Sequence, residues 1–345
     1  MTPAAGRGVS GGRLLLAGGL GLAATAATLV VCSLFGDISL WDAAGTGGNW
    51  WPVWWGRVTV LAGAALVGGS LAASGAGLQG LLRNPLAEPF VLGISSGAGF
   101  GVLAGRIASG GLGLDTPMLA LIGALATCAA VYFIAQRSGQ LDPLVLLLSG
   151  VIVNVFIGAA SMGLLLLAEP NDMLAFLHWS MGHVSMLNTL NGRLMALCAT
   201  FGAVGWGVLL LRSAALNALG LGDEVATASG VSVARLRLEV FVAVGLMTSG
   251  AVCLAGPIGF IGLIVPHVCR LMLGPDHRRL VVVGVFVGAI FLMVAETLCR
   301  TALPALAAAT VRDVGVIPVG VVTALTGGPF FLYLLRTRSR GGGLG

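Results

Sequence analysis

The chain has 345 residues, of which 57% are hydrophobic and only 9% are charged, and its mean hydropathy is +1.01. Soluble domains carry about 25% charged residues, so this composition excludes a protein with a fully water-covered surface. Glycine contributes 55 residues without the every-third-residue period of collagen, and small residues suit close packing of helices in a bilayer. The composition therefore indicates an all-α, polytopic membrane protein.

The formal net charge is +5, and every basic residue is arginine. A Walker A phosphate loop needs a lysine that reaches the phosphates, and Schiff-base chemistry needs a lysine amine, so both are excluded. The arginines are scattered between apolar runs, which argues against a nucleic-acid surface. The six cysteines form no Cys-x-x-Cys pair, so neither a disulfide framework nor a zinc site is expected.

Uncharged apolar runs mark the candidate membrane spans, each of which needs about 20 residues to cross a bilayer. The runs are Leu14–Phe35, Val58–Leu82, Phe90–Gly105, Met118–Gln136, Leu144–Ala168, Leu194–Leu211, Val240–Cys269, Leu280–Ala295 and Val314–Leu335. The seventh run is too long for one span, and Gly256, Pro257, Gly259, Gly262 and Pro266 interrupt it. We therefore expect two helices there, joined near Gly256–Pro257, and ten spans in all.

The first run is longer than the apolar core of a signal peptide, about 7–15 residues, so we interpret it as an anchored helix. Ten spans place both termini on one side. Thirteen arginines then lie on the side of the termini, and the other five are Arg57, Arg106, Arg193, Arg300 and Arg312. The positive-inside rule predicts that the richer side is cytoplasmic.

No soluble module interrupts the spans, so residues 1–345 are expected to form one transmembrane domain. Residues 1–13 are its cytoplasmic N-terminus, and residues 336–345 are a cytoplasmic Arg/Gly-rich tail. Five tryptophans fall in the first outer loop, where we interpret them as an interfacial belt: Trp41, Trp50, Trp51, Trp54 and Trp55.

Ionisable residues are scarce inside the predicted spans, whereas proton or ion pathways usually contain them. Glu239 is expected at a cytoplasmic edge, and Glu296 with Arg300 at an outer edge. The four histidines are expected to form neither a close pair nor a metal site: His178, His183, His267 and His277. If the protein transports actively, its energy source lies in another subunit, and no cofactor is expected on this chain.

The segment from Gly75 to Ala98 predicts a tight turn between two closely packed helices. Pro85 and Pro89 prevent a continuous helix, and Asn84 before a proline favours a turn. Gly93, Gly97 and Gly101 give the next helix a face of small residues. The residues singled out for helix packing and this turn are Gln79, Arg83, Asn84, Pro85, Gly93, Gly97 and Pro266.

Together with two later segments, this one resembles the FecCD-type permease family of ABC importers, which carry iron–siderophores, haem or vitamin B12. The later segments are Gly259-Phe260-Ile261-Gly262-Leu263-Ile264-Val265-Pro266-His267, with the residues after it, and Ile317-Pro318-Val319-Gly320 onward to Leu335. The resemblance covers residues 14–337.

The resemblance implies a ten-helix type II importer permease fold and a dimer with a second copy or a paralogous permease. It further implies two cytoplasmic ATP-binding subunits, which carry Mg-ATP, and a periplasmic or lipid-anchored solute-binding protein. The implied location is the bacterial cell membrane. Iron–siderophore is the leading substrate, while haem and corrinoid remain open.

The inner loop around residues 216–231 is the candidate contact with the ATP-binding subunits. Leu219, Val225 and Ala228 are expected to form the apolar side of short helices, with Asp223 and Glu224 exposed. An apolar helix face on a cytoplasmic surface needs a partner. In the resembling family this loop forms the coupling helices, and the matching residues are Leu219, Gly222, Asp223, Glu224, Ala226 and Gly230.

The chain departs from the family pattern on the outer side. Val60 stands where the family has a second arginine after Arg57, Glu296 replaces an aspartate before Arg300, and Val316 replaces a glutamate. We expect Arg57 and Arg300 to form the docking surface for the binding protein. Arg57 has no acidic residue within four positions, whereas Arg300 has the alternative of pairing with Glu296 in the same chain.

Two other classes of function remain open at this point. An ion-coupled secondary carrier would transport without an ATPase, although carboxylates in the middle of the spans would favour it and are scarce. An intramembrane enzyme would need a nucleophile next to a base, and the sequence offers no recognisable pair of that kind.

Overall fold

The computed structural model describes residues 11–36, 50–109, 115–137, 140–302 and 317–341. Within these residues the chain forms thirteen α-helices, one 3₁₀ helix and one two-stranded ladder. In chain order they are α1 (Gly11–Ser33), α2 (Trp50–Leu82), the 3₁₀ helix (Pro89–Leu92), α3 (Ile94–Ser109), α4 (Thr116–Ala135), β1 (Gln136–Arg137), β2 (Gln140–Leu141), α5 (Pro143–Leu165), α6 (Pro170–Ser180), α7 (Met186–Leu190), α8 (Gly192–Gly220), α9 (Asp223–Ala228), α10 (Val233–Ala255), α11 (Ile261–Leu273), α12 (His277–Arg300) and α13 (Val319–Gly341).

The predicted all-α class is confirmed, and the antiparallel β1–β2 ladder pairs only two residues of each strand. Seven helices in the described part of the chain are long and apolar enough to cross a membrane: α1, α2, α4, α5, α8, α10 and α12. The other three predicted runs contain α3 with 16 residues, α11, and α13, whose apolar part is limited to Val319–Leu334. With 13 residues, α11 is about 20 Å long, which is less than the hydrocarbon core.

The ends of several helices differ from the sequence prediction. Helix α2 begins at Trp50 rather than Val58. Four of the five tryptophans therefore lie in the first turns of α2 and not in a loop: Trp50, Trp51, Trp54 and Trp55. Trp41 lies outside the described residues. Helix α8 continues to Gly220, beyond the predicted end at Leu211. The prediction stopped at Arg212, but its guanidinium pairs with Glu239, so this charge does not end the helix.

The predicted division of the seventh run is confirmed. Helix α10 ends at Ala255, and Gly256 follows with φ +67°, a left-handed conformation that suits glycine. Helix α11 begins at Ile261, so Gly262 and Pro266 lie inside it and do not interrupt it. Proline lacks the amide that would bond to the carbonyl four residues earlier, so the Gly262 carbonyl needs a donor from another element.

Two ends of the bundle are used below. The α9 end is where α2 and α8 finish and where α10 and α12 begin. The α7 end is the opposite one, where α2 and α8 begin and where α10 and α12 finish. The α7 end also carries α6 and α7, two short helices within the predicted outer loop of residues 168–193.

Helix α2 lies at the centre of the bundle and is buried over most of its length. Its neighbours approach through glycines. A Cβ atom built on Gly68 would lie 2.2 Å from the Gly288 carbonyl oxygen, and one on Gly75 would lie 1.9 Å from the Gly262 carbonyl oxygen. Backbones at these positions are in direct contact, which in a bilayer maximises van der Waals contact between helices.

Helices α3 and α4 meet in the same way. A Cβ atom on Gly97 would lie 1.9 Å from Oγ1 of Thr127 and 2.6 Å from the Gly123 carbonyl oxygen. Gly93 has φ +79° and ends the 3₁₀ helix just before α3 begins. The α3–α4 contact therefore leaves no room for a side chain at Gly97.

Replacing Gly97 with leucine is expected to lower the free energy of unfolding by about 3 kcal/mol or to prevent assembly, since overpacking against backbone cannot relax cheaply. Gly207→Leu in α8 is the matched control, because nothing lies within 4 Å of its Cβ position. Thermal unfolding of the purified protein in detergent measures both. Equal stability of the two variants would contradict the close contact.

Candidate functional site

Helix α9 is a short helix that two turns separate from α8 and α10. Gly222 precedes it with φ +126°, and Gly230 follows it with φ +81°, so both turns use conformations that favour glycine. Leu219 and Ala226 are fully buried and attach the segment to the bundle. The outward side carries the exposed Glu224.

The expected apolar side of this segment is present at Val225 and Ala228, which are exposed, but not at Leu219, which is buried in the bundle. Val225 is 44% exposed and Leu221 is 75% exposed, and Ala228 also faces outward. Within α9, Ala226 is the residue that packs against the bundle, since it is buried. The α9 segment therefore presents apolar side chains outward, beside a carboxylate.

Asp223 was expected to be exposed and available to a partner, but it is bound within the chain. Its Oδ2 accepts a hydrogen bond from Nη2 of Arg237 at 2.8 Å, and its Oδ1 lies 3.1 Å from Nη2 of Arg83. Arg237 is buried, and its Nη1 also donates to the Leu141 carbonyl at 3.2 Å. One carboxylate thus joins α9 to the end of α2 and to α10.

A second attachment fixes the end of α8, just before α9 begins. The Asn217 side chain, near the end of α8, donates to Asp276 at 3.2 Å and accepts from the His277 backbone amide at 2.9 Å. The Asp276 side chain caps α12 by accepting from the Arg278 amide. The end of α8 is thereby fixed to the start of α12.

The turn between α2 and α3 folds back into the bundle rather than lying on its surface. The Asn84 side chain accepts from the Leu86 amide at 3.0 Å, which closes the predicted turn. Further along, Nδ2 of Asn154 in α5 donates to the carbonyls of Phe90 at 3.2 Å and Val91 at 3.4 Å. The 3₁₀ helix is therefore held against the middle of α5.

Gln79 is buried where this turn meets the start of α11. Its Nε2 donates to the Gly262 carbonyl at 3.2 Å, which is the group that Pro266 leaves without a helical donor, and to the Ala87 carbonyl at 3.4 Å. Its Oε1 accepts from Nη2 of Arg270 at 2.9 Å. The glutamine amide thus replaces a missing helix bond and joins three elements.

Glu88 and Asn154 are functional candidates that the sequence analysis missed. The Glu88 carboxylate accepts from the Phe260 backbone amide, in the non-helical link before α11, and Phe260 has φ +70°. Asn154 was visible as an amide in the middle of the apolar run Leu144–Ala168. Glu88 lies between two prolines, where sequence alone offers no sign of a partner far along the chain.

At the α7 end, Arg57 and Arg300 line one cavity of about 320 Å³, together with apolar residues of α1, α2 and α7. Nε of Arg300 donates to Oε1 of Glu296 at 2.7 Å, and Nη2 donates to the Val184 carbonyl at 3.1 Å. Glu296 is 2% exposed. Arg300 therefore has the internal partner that the sequence offered, while both arginines still face the cavity.

The expectation that no two histidines lie close together is wrong. The rings of His178 and His183 are 4.8 Å apart between centroids, because Gly182, with φ +71°, reverses the chain between them. Burial lowers the pKa of His183, and the nearby His178 and Arg300 lower it further. Among the described residues, no group of three or more His, Cys, Asp or Glu could hold a metal ion.

Comparisons with known proteins agree with this geometry. The model of the FecCD transport family matches residues 14–337. The cobalamin import system permease protein BtuC of Halobacterium salinarum is 40% identical over 79% of this chain and 70% of its own length. The hemin transport system permease protein HmuU of Yersinia pestis is 37% identical over 88% of this chain and 89% of its own length.

A solved structure is also similar. It is described as an inward-facing conformation of an ABC transporter of the metal-chelate type, and it is 26% identical with a TM-score of 0.74. The match covers 92% of this chain and 98% of that one.

Replacing Gln79 with leucine is expected to lower the free energy of unfolding by about 3 kcal/mol, because the carbonyls of Gly262 and Ala87 and the Arg270 guanidinium lose a buried partner. Gln136→Leu is the matched control, since the Gln136 side chain is exposed and donates to the Tyr132 hydroxyl at the surface, and the effect of this substitution should stay within about 0.5 kcal/mol. Denaturant unfolding in detergent compares them. Similar losses in both variants would contradict the role given to Gln79.

Proposed function

The chain belongs to the FecCD transport family, and we propose that it forms the translocation path of an ATP-driven importer for an iron–siderophore type of chelate. The family consists of transport permeases, and this chain is one. ATP hydrolysis belongs to a separate subunit, which carries Mg-ATP, and this chain contributes no catalytic residue.

One observation supports the proposal that the energy for transport comes from a separate subunit. The α9 segment exposes Leu221 and Val225 beside the exposed Glu224. Exposed apolar side chains outside the membrane favour contact with another protein. Since α9 is a short helix fixed at one face only, it is suited to a cleft on an ATP-binding subunit.

The α9 end is cytoplasmic in this proposal, because the positive-inside rule places the arginine-rich loops there. Both termini lie on the same side, and the protein resides in the bacterial cell membrane. The side of α5 that points away from the bundle, where Val155 and Phe156 are exposed, contacts lipid or a second permease. That second permease is another copy of this chain or a paralogue.

The α7 end is the proposed docking surface for a periplasmic or lipid-anchored binding protein. Arg57 and Arg300 border the same cavity, so one acidic side chain of a partner can approach both guanidinium groups. The buried Glu296 compensates part of the charge of Arg300.

The substrate class is a metal chelate, in line with relatives that are named for cobalamin and hemin import. An iron–siderophore is the first substrate to test, and haem and corrinoid are the alternatives. These three candidates differ in shape and polarity.

Uptake into proteoliposomes tests this proposal. Vesicles containing the permease and its ATP-binding subunits receive the binding protein with a radio-iron-loaded hydroxamate siderophore, haem or cyanocobalamin. Uptake of one of these should require internal Mg-ATP and the binding protein, and it should persist with ionophores. Uptake that an ion gradient drives without ATP would instead identify an ion-coupled carrier.

Replacing Arg57 with glutamate is expected to slow association of the binding protein about tenfold at low salt and to flatten its salt dependence, because charge at an interface mainly steers encounter. Arg193→Glu is the matched control, an exposed arginine at the same end of the bundle that does not line the Arg57 cavity. Surface plasmon resonance on reconstituted permease measures both rates. Unchanged association of the Arg57 variant would show that Arg57 only anchors α2 at the membrane interface.

A further inference from the structure

Asp223 is the point at which α9 is tied to the rest of the bundle. Its two carboxylate oxygens face two different arginines, Arg83 at 3.1 Å and Arg237 at 2.8 Å. The Arg237 side chain is only 6% exposed, whereas Asp223 and Arg83 are each about 40% exposed. A charge pair that includes a buried arginine is costly to break from one side.

Each arginine leads to a different element. Arg83 directly follows α2 and has φ +50°, a strained conformation for a residue with a side chain. It begins the turn that continues to the 3₁₀ helix. Arg237 lies in the first turns of α10, and its second contact is the Leu141 carbonyl, one residue before the cap of α5.

The turn after Arg83 is itself hydrogen-bonded to three helices, α2, α5 and the start of α11. Its Ala87 carbonyl bonds to Gln79, and its Glu88 carboxylate bonds to the Phe260 amide at the start of α11. Asn154 of α5 holds the carbonyls of Phe90 and Val91. Hydrogen bonds therefore connect the turn that begins at Arg83 to both α5 and α11.

We propose that Asp223 is a positioning residue that transmits movement of α9 to the α2–α3 turn through Arg83, with Arg237 as the fixed side of the pair. This inference rests on the proposed function, in which an ATP-binding subunit moves α9. It reverses the role that the sequence suggested for Asp223, which faces inward. The contact with the ATP-binding subunit is expected at Glu224, Val225 and Leu221.

The test uses the complete transporter with a reporter cysteine at Leu86, inside the α2–α3 turn. The six native cysteines are all buried, so a maleimide reagent should label the reporter selectively. In the otherwise native protein, the labelling rate should differ at least about fivefold between the nucleotide-free and the ATP–vanadate-trapped states, which is the range of ordinary coupling.

Asp223→Asn should abolish this difference while the complex still assembles and hydrolyses ATP, and Asp223→Glu should restore part of it. Glu239→Gln is the matched control: it removes an ion pair with Arg212 between α8 and α10 without touching α9. The control should keep the full labelling difference. Because a merely structural role would alter assembly or thermal stability, those are measured alongside.

If Asp223→Asn fails to assemble, Arg83→Gln gives the same test, since its side chain is partly exposed and its loss removes only one side of the link. A full nucleotide-dependent labelling difference in an assembled variant of either residue would overturn the inference. If the native permease does not associate with ATP-binding subunits at all, the proposed function fails first, and copurification reports this outcome separately.

Discussion

Gln79 satisfies, inside the bundle, one backbone carbonyl of α11 that lacks its helical donor and one carbonyl of the α2–α3 turn. In a bilayer, polar backbone groups without internal partners are strongly unfavourable. Pro266 removes one bond of α11, and the α2–α3 turn adds further free carbonyls, yet one amide bonds to both the Gly262 and the Ala87 carbonyl oxygens. Because these irregular segments meet on Gln79, α2, α11 and the turn have a defined arrangement.

The helices of the bundle pack tightly because their backbones are in direct contact at glycines. Lipid chains are as apolar as leucine, so helices gain stability from van der Waals contact rather than from hydrophobic burial. Gly68 and Gly288 approach so closely that neither has room for a Cβ atom, and Gly97 meets α4 in the same way. Polar side chains then fix the places where helices end, as Asn217 does between α8 and α12.

Helix existence was predictable because each span is a long apolar run, and the break at Gly256–Pro257 followed from residues that end helices. Helix ends were less predictable, since Arg212 interrupts a hydropathy pattern but pairs with Glu239 and leaves α8 intact. The contacts of Asp223 and Glu88 lay beyond prediction, because their partners are distant in sequence. The same holds for the His178–His183 pair, which depends on the conformation of Gly182.

The two ends of the bundle have different proposed roles. The α7 end has a cavity with two arginines, and the α9 end has a short helix with an apolar outward side. The central claim is therefore that α9 is the surface on which that subunit acts.

Hydrogen–deuterium exchange of the whole permease, alone and in complex with its ATP-binding subunits, tests this claim most directly. The account predicts that binding slows exchange at residues 221–230 and in the turn at 83–89, while exchange near α7 stays unchanged. Protection that is absent from residues 221–230, or that falls only at the α7 end, would contradict it.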